Sequence, residues 1–192
     1  MPPTTRELLI GAATDLLDAG GPEAVTLREV GRRAGVSHNA PYKHFASKEA
    51  LLADVAAREL SGLADTVTGL LKDERQGAEV LREVLGAYAA WALAHPARFR
   101  LVFGRWSTPF ESLAEAAHDA RVALTGTVRK AQADGALPEG DSDRLTGLLQ
   151  AVVHGSVELA LDGHLAVGGK WNTDPDGVID DLLGYLQASV RG

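Results

Sequence analysis

The chain has 192 residues, a formal charge of −7, 45% hydrophobic and 23% charged residues, and no cysteine. That balance excludes a disordered chain and leaves ample length for a buried core in one or two domains. The missing thiols exclude a disulfide scaffold, a Cys-ligated zinc or iron–sulfur site and a Cys nucleophile. The charge is unevenly placed: residues 1–50 balance Arg6, Arg28, Arg32, Arg33, Lys43 and Lys48 against six carboxylates, so residues 51–192 hold the whole −7. This balance argues against a general nucleic-acid coat, but not against a small DNA-reading head on an acidic body. No apolar run reaches the ~18 residues of a membrane span, so no membrane partner is expected. Residues Met1–Arg6 carry no apolar h-region, so no signal peptide is expected, and a reducing cytoplasm fits.

Apolar residues recur at helical spacing along the chain, which predicts an all-α fold of about nine helices. Thr4 and Glu7 form a capping box ahead of the stripe Leu8, Leu9, Ala12, Ala13, Leu16, Leu17, and Gly20-Gly21-Pro22 stops it. Thr26 and Glu29 repeat the box before a short helix that breaks at Gly35. Ser37 is placed to cap a further short helix over about 37–45, and Ser47 starts a longer one reaching Leu70 or Leu71. Val80 to Ala92 predict a fifth helix ending before Pro96, and Phe99 to Trp106 a short sixth. Thr108, Pro109 and Glu111 predict the start of a long seventh helix that stops at Gly135. An eighth spans about 142–163, and Asp174 with Pro175 opens the ninth. No strand pattern competes, and there is no internal repeat.

Residues 26–48 carry the function. Two short helices joined at Gly35 make a helix-turn-helix candidate, with Leu27, Val30, Ala34 and Val36 as its small core. Gly31 and Ala34 are small where the helices cross, and Gly35 can take the positive φ of the turn. The second helix is then free to present His38, Asn39, Tyr42, Lys43 and His44, and such a helix fits the major groove.

The runs Val25-Thr26-Leu27-Arg28-Glu29-Val30, Ala34-Gly35-Val36-Ser37, Tyr42-Lys43-His44-Phe45 and Lys48-Glu49-Ala50-Leu51-Leu52 resemble the TetR family of bacterial transcriptional regulators. The resemblance covers about residues 5–63. It implies a helix-turn-helix DNA-binding domain over 4–63, with a recognition helix at about 37–45, and a ligand-binding and dimerisation domain over 64–192. Residues 95–103 and Val153-His154-Gly155 resemble a body subtype named for a Trp-His-Gly triplet, with Val153 in place of the Trp. The head departs from the family pattern at Gly31, where Ala is usual, and at Pro41, where an aliphatic residue is common.

Carried onto this sequence, the resemblance implies that Ser37 caps the recognition helix and meets a phosphate. It implies that His38, Asn39, Ala40 and Pro41 face base edges, with Asn39 able to pair with adenine and Ala40 and Pro41 able to touch a thymine methyl. Tyr42 and His44 would bind phosphate or sugar, Lys43 a phosphate or guanine, and Arg28 and Lys48 the backbone.

In the body, Tyr88, Trp91, Phe99, Phe103, Trp106 and Phe110 read either as ordinary core or as the lining of an effector cavity, with Leu149 as a further apolar residue and His118, His154 and Glu158 as its polar groups. His154 and Glu158 share a helix face, and His118 or His164 could add a third ligand, but no spacing fixes one, so no metal and no cofactor is expected. Asp180 and Asp181 read as a solvated helix face. The segments 142–163 and 175–190 are apolar enough to need cover from a second copy, or else from an intrachain bundle.

No nucleophile elbow, phosphate loop or H-E-x-x-H motif suggests an enzyme. The expected partners are a double-stranded DNA operator, a small and largely apolar effector, and a second copy of the chain. The expected function is a repressor that releases a palindromic operator on binding the effector. An activator or co-repressed regulator is the nearest alternative. An enzyme or metal-dependent protein with a vestigial head, and a DNA-organising protein without a ligand, are alternatives from other classes.

Overall fold

The computed structural model describes residues 2–72 and 74–191 of the chain. Met1, which begins the stretch read for a signal peptide, lies outside the described residues. Among them there are nine helices and no strand: α1 (Thr5–Ala24), α2 (Leu27–Arg33), α3 (Ala40–His44), α4 (Lys48–Leu71), α5 (Gly77–Ala94), α6 (Pro96–Val102), α7 (Glu111–Ala133), α8 (Ser142–Leu161) and α9 (Pro175–Arg191). The chain divides into two compact units, one of Met1–Gly62 with His95–His118 and the other of Leu63–Ala94 with Asp119–Gly192. The unit that holds the helix-turn-helix therefore also takes in α6 and the first residues of α7.

The first unit is built on the apolar stripe of α1. Leu9, Ala13, Leu16 and Leu17 are buried together with Val25, Val30, Phe45, Leu51 and Val55 from α2, α4 and the turns between them. The predicted capping box at the start of α1 is complete: the Glu7 amide donates to Thr4 Oγ1 at 3.3 Å, and the Thr4 amide donates to the Glu7 carboxylate at 2.6 Å. At the end, α1 kinks at Gly20 and Gly21, and only one further turn follows. Polar ties then join the elements. Arg58 of α4 donates to Thr14 of α1 at 2.7 Å. Arg98 of α6 meets Asp18 of α1 at 2.5 Å and Glu59 of α4 at 3.4 Å. With these bonds, α6 is held by charge as well as by apolar contact.

In the second unit, α5, α8 and α9 pack on one another in pairs. Val80, Leu81, Val84, Leu85 and Ala89 of α5 face Leu149, Val153 and Val157 of α8 and Ile179 and Leu183 of α9 as its buried set. The α8 residues repeat every four, which gives one buried stripe rather than burial all round. Asp141 caps α8 through the amides of Asp143 and Arg144, and Asp174 caps α9 through the Gly177 amide at 2.9 Å. Asp180 lies on the outer face of α9. It is exposed with Asp181, as expected of a solvated helix face, and it also pairs with Arg82 of α5 at 2.8 Å.

Candidate nucleic-acid interface

The turn between α2 and α3 forms as its residues require. Thr26 accepts the Glu29 amide at 3.2 Å and starts α2. Gly35 then takes φ 67°, which L side chains rarely adopt, and the Val36 amide closes the turn on Gly31 O at 3.2 Å. The second half of the expected box is missing, because the Glu29 carboxylate turns instead to Arg32, at 2.8 Å and 2.5 Å. That bond to Arg32 holds the Glu29 carboxyl below its ordinary range.

Ala40 opens α3, not Ser37, and the N-cap is Asn39, whose side chain makes no capping bond. Ser37 contributes through its carbonyl, which accepts the Ala40 amide at 2.9 Å. Its hydroxyl is therefore not the helix cap that the sequence suggested. The reason is local: residues 37–39 form a tight turn before the helix, so the recognition helix is three residues shorter at its start.

Ser37, His38, Asn39, Tyr42, Lys43 and His44 are all exposed, Tyr42 by 55%, and Arg28 is exposed on α2. His38 and Tyr42, one turn apart, meet edge to face at 6.1 Å. Ala40 is half-buried, and so is Lys48 at the start of α4. Pro41 is the exception, because it is buried against Gly31 of α2. The expected contact of Pro41 with a thymine methyl is therefore corrected: its ring faces the head's own packing.

Two grooves lie within this unit. One is lined by Thr26, Arg28, Glu29, Arg32, Val36 and His38, so Arg32 joins Arg28 and His38 on a surface where only the latter two were expected. The other has Lys48, Arg100 and Arg105 around an apolar floor that includes Leu52 and Trp106. Arg100 and Arg105 did not stand out in the sequence, because they come from a segment distant from Lys48, whereas Arg32 lies in the same short stretch as Arg28 and His38 and pairs with Glu29. The start of α4 is tied down beside Lys48. The Ser107 amide donates to Glu49 at 2.7 Å, its hydroxyl donates to the other carboxylate oxygen, and both bonds lower the Glu49 pKa. Arg6 secures the end of α3 in turn, with an ion pair to Asp54 and its guanidinium 5.0 Å over the Phe45 ring.

The ten expected effector residues fall into two sets. Phe99, Phe103, Trp106, Phe110 and His118 belong to the first unit, where Phe99 is fully buried and Trp106 packs on the core. Tyr88, Trp91, Leu149, His154 and Glu158 belong to the second. There the Tyr88 hydroxyl and His154 Nδ1 lie 2.9 Å apart and the Trp91 ring is 6.2 Å from that of Tyr88. Burial pushes the Tyr88 phenol well above its ordinary pKa, a bond to Gln150 opposes this, and the charge of Glu158 adds to it. Leu149 is fully buried in the helix packing.

Residues 9–55 match the family model described as bacterial regulatory proteins, tetR family. Residues 81–186 match the model described as the tetracyclin repressor-like C-terminal domain. The chain belongs to the tetR family. It is therefore of a family of DNA-binding transcriptional regulators, not of enzymes. An HTH-type transcriptional repressor of Mycobacterium tuberculosis (strain ATCC 25618 / H37Rv) is 36% identical over 76 residues, a match that covers 38% of each protein. A solved structure of a protein of unknown function from Rhodococcus sp. RHA1 is 28% identical, covers 98% of this chain and 96% of its own, and superposes with a TM-score of 0.82. The transcriptional regulator FadR of Bacillus subtilis, solved with stearoyl-CoA, is 16% identical with 94% and 97% coverage and a TM-score of 0.71, a likeness of fold. No helix among the described residues of this tetR-family chain is long and apolar enough to cross a membrane.

Proposed function

We propose that this regulator is an effector-responsive repressor that works in the cytoplasm as a homodimer and releases a near-palindromic DNA operator when a small, largely apolar effector binds. The observation that carries the DNA reading is the exposed row His38, Asn39, Tyr42, Lys43 and His44 on and before α3, flanked by Arg28 and Lys48. Asn39 is the residue for adenine, Ala40 for a thymine methyl and Lys43 for a phosphate or guanine. Ser37, Tyr42, His44, Arg28 and Lys48 take phosphate or sugar and so set the register of the head.

Dimerisation through about 142–163 and 175–190 is supported by apolar side chains that the protomer leaves uncovered. Leu148 and Leu159, three turns apart on α8, are 50% and 47% exposed, and Tyr185 of α9 is 77% exposed. A Cβ on Gly155, between the two leucines, would meet nothing within 4 Å, so this stripe has room for a second copy to approach closely. Two-fold pairing of the chains calls for a two-fold operator, with half-sites about 34–36 Å apart if the α3 helices enter successive major grooves.

For the effector, the pair Tyr88–His154 with Glu158 offers a polar end beside the apolar Trp91 and Leu149, and the acyl-CoA held by the B. subtilis regulator supports a ligand with an apolar part. The effector acts only if it binds one head spacing more tightly than the other, and α4, which runs from Lys48 to Leu71, is the element to carry the change. The test is to expose purified protein to a pool of random duplexes at physiological salt and sequence the bound fraction. An inverted-repeat motif is the expected result, and it supplies the probe for an effector screen by DNA release. Uniform recovery of all sequences, in the presence and absence of long-chain acyl-CoA, would refute the reading.

A further inference from the structure

One close approach seats the recognition helix. Gly31, inside α2, is buried, and so is Pro41 in the first turn of α3. A Cβ on residue 31 would lie 2.8 Å from Pro41 Cγ and 3.3 Å from its Cδ. Non-bonded carbons settle at about 3.5–4.0 Å. The proline ring cannot swing aside as a flexible side chain would, since its atoms close on the backbone nitrogen and fix φ. Both residues are also held through their carbonyls: Gly31 O accepts the Val36 amide at 3.2 Å, and Pro41 O accepts the Phe45 amide at 2.9 Å. A proline at this place forfeits no helix bond, because a first-turn amide has no partner in the helix. The residue with no side chain and the residue with a rigid one therefore face each other at the crossing of α2 and α3.

We propose that Gly31 and Pro41 are a matched positioning pair: the absence of a side chain at residue 31 lets the Pro41 ring seat α3 on α2, and that seat sets the reach of His38, Asn39 and Ala40 towards base edges. This rests on the reading of DNA by α3 proposed above. A methyl at residue 31 would push α3 outward by about 1 Å to restore ordinary carbon contact. Hydrogen bonds to bases occupy a donor–acceptor window only about 0.5 Å wide. The long side chains of Arg28, Lys43 and Lys48 can follow a shift of that size to a phosphate. The damage therefore falls on discrimination between sequences, not on affinity for DNA in general.

The experiment uses the full chain as wild type, Gly31→Ala, Pro41→Ala and the double variant. Each is titrated against the duplex that the wild type selects from a random pool and against a random duplex of equal length, alongside thermal melts. Gly31→Ala is expected to lose at least tenfold in the ratio of selected to random affinity, with random-duplex affinity within about twofold of wild type. The double variant is expected to regain most of that ratio, because the methyl of residue 31 takes the space the ring leaves. A Gly31→Ala ratio equal to that of wild type would overturn the pair, as would a double variant no better than Gly31→Ala. Should Gly31→Ala fail to fold, the double variant decides: folded with a ratio near wild type it supports the pair, and unfolded or undiscriminating it overturns it. A wild type that selects no duplex overturns the DNA reading itself and the pair's role with it, a failure distinct from selection with an unaltered variant.

Discussion

Lys48 and Glu49 stand side by side at the start of α4 and have opposite fates. Glu49 is engaged by Ser107 through both oxygens, while Lys48 lines a groove with Arg100 and Arg105. A cation held near its place by a fixed helix start is suited to a phosphate contact. Lys48→Ala should weaken binding to every duplex about equally and lower the slope of log affinity against log salt by about 1. An unchanged slope in a salt titration would remove Lys48 from the interface. The folded pKa of Glu49 lies below the ordinary 4.5, so the stabilisation is present at neutral pH and is lost as pH falls below that value. Glu49→Gln should therefore flatten the loss of melting temperature between pH 6 and pH 3 relative to wild type, and an identical acid limb would show that the bond contributes nothing. The exposure of His38, Asn39, Tyr42, Lys43 and His44 was legible because α3 is a local element whose outward positions follow from spacing. Pro41 was misjudged because whether a side chain in a five-residue helix points outward or inward depends on α2, and only the missing Cβ of Gly31 shows it.

At the scale of elements, the helices were legible wherever a stripe and a cap agree, as at Thr4 with Leu9, Ala13 and Leu17, or at Asp174 with Ile179 and Leu183. The starts were less so. Several residues near Ser37 and Thr108 are able to cap, and the choice among them is made by turns such as the Ser37–Ala40 bond. The ties between elements left no periodic trace. Arg98 meets Asp18 and Glu59 across 80 and 39 residues of chain, and nothing in the run His95–Phe103 signals either partner. Removing Arg98 leaves Asp18 and the largely buried Glu59 without that cation. Arg98→Ala should cost about 1.5–3 kcal/mol, the range for hydrogen bonds to charged groups. For a chain of this size that is a drop in melting temperature of roughly 3–12 °C. A melt within 1 °C of wild type would show that α6 is held by apolar packing alone.

For the whole molecule, the expected domains were 4–63 and 64–192, whereas the compact units are discontinuous: α6 and the start of α7 belong with the helix-turn-helix unit. That grouping could not be read from the chain, because it depends on which surface the residues after Pro96 find. The uncovered stripe of Leu148 and Leu159 also belongs to this scale, since only an assembly can cover it. Light scattering should give twice the 20.2 kDa chain mass. Leu159→Glu should shift the protein to a monomer at micromolar concentration without unfolding it, because Leu159 makes no part of the protomer's core. A variant that stays dimeric would move the interface elsewhere.

Base reading by the exposed row at α3 is the proposal on which the operator, the effector response and the positioning pair all depend. The most direct measurement is selection from a random duplex pool by wild type and by Asn39→Ala, run side by side at one salt concentration. The wild type should select an inverted repeat and the variant the same repeat, relaxed at one position in each half, where discrimination falls by about 1–3 kcal/mol. Identical motifs would contradict base reading by Asn39, and the absence of any motif from the wild type would contradict the claim as a whole.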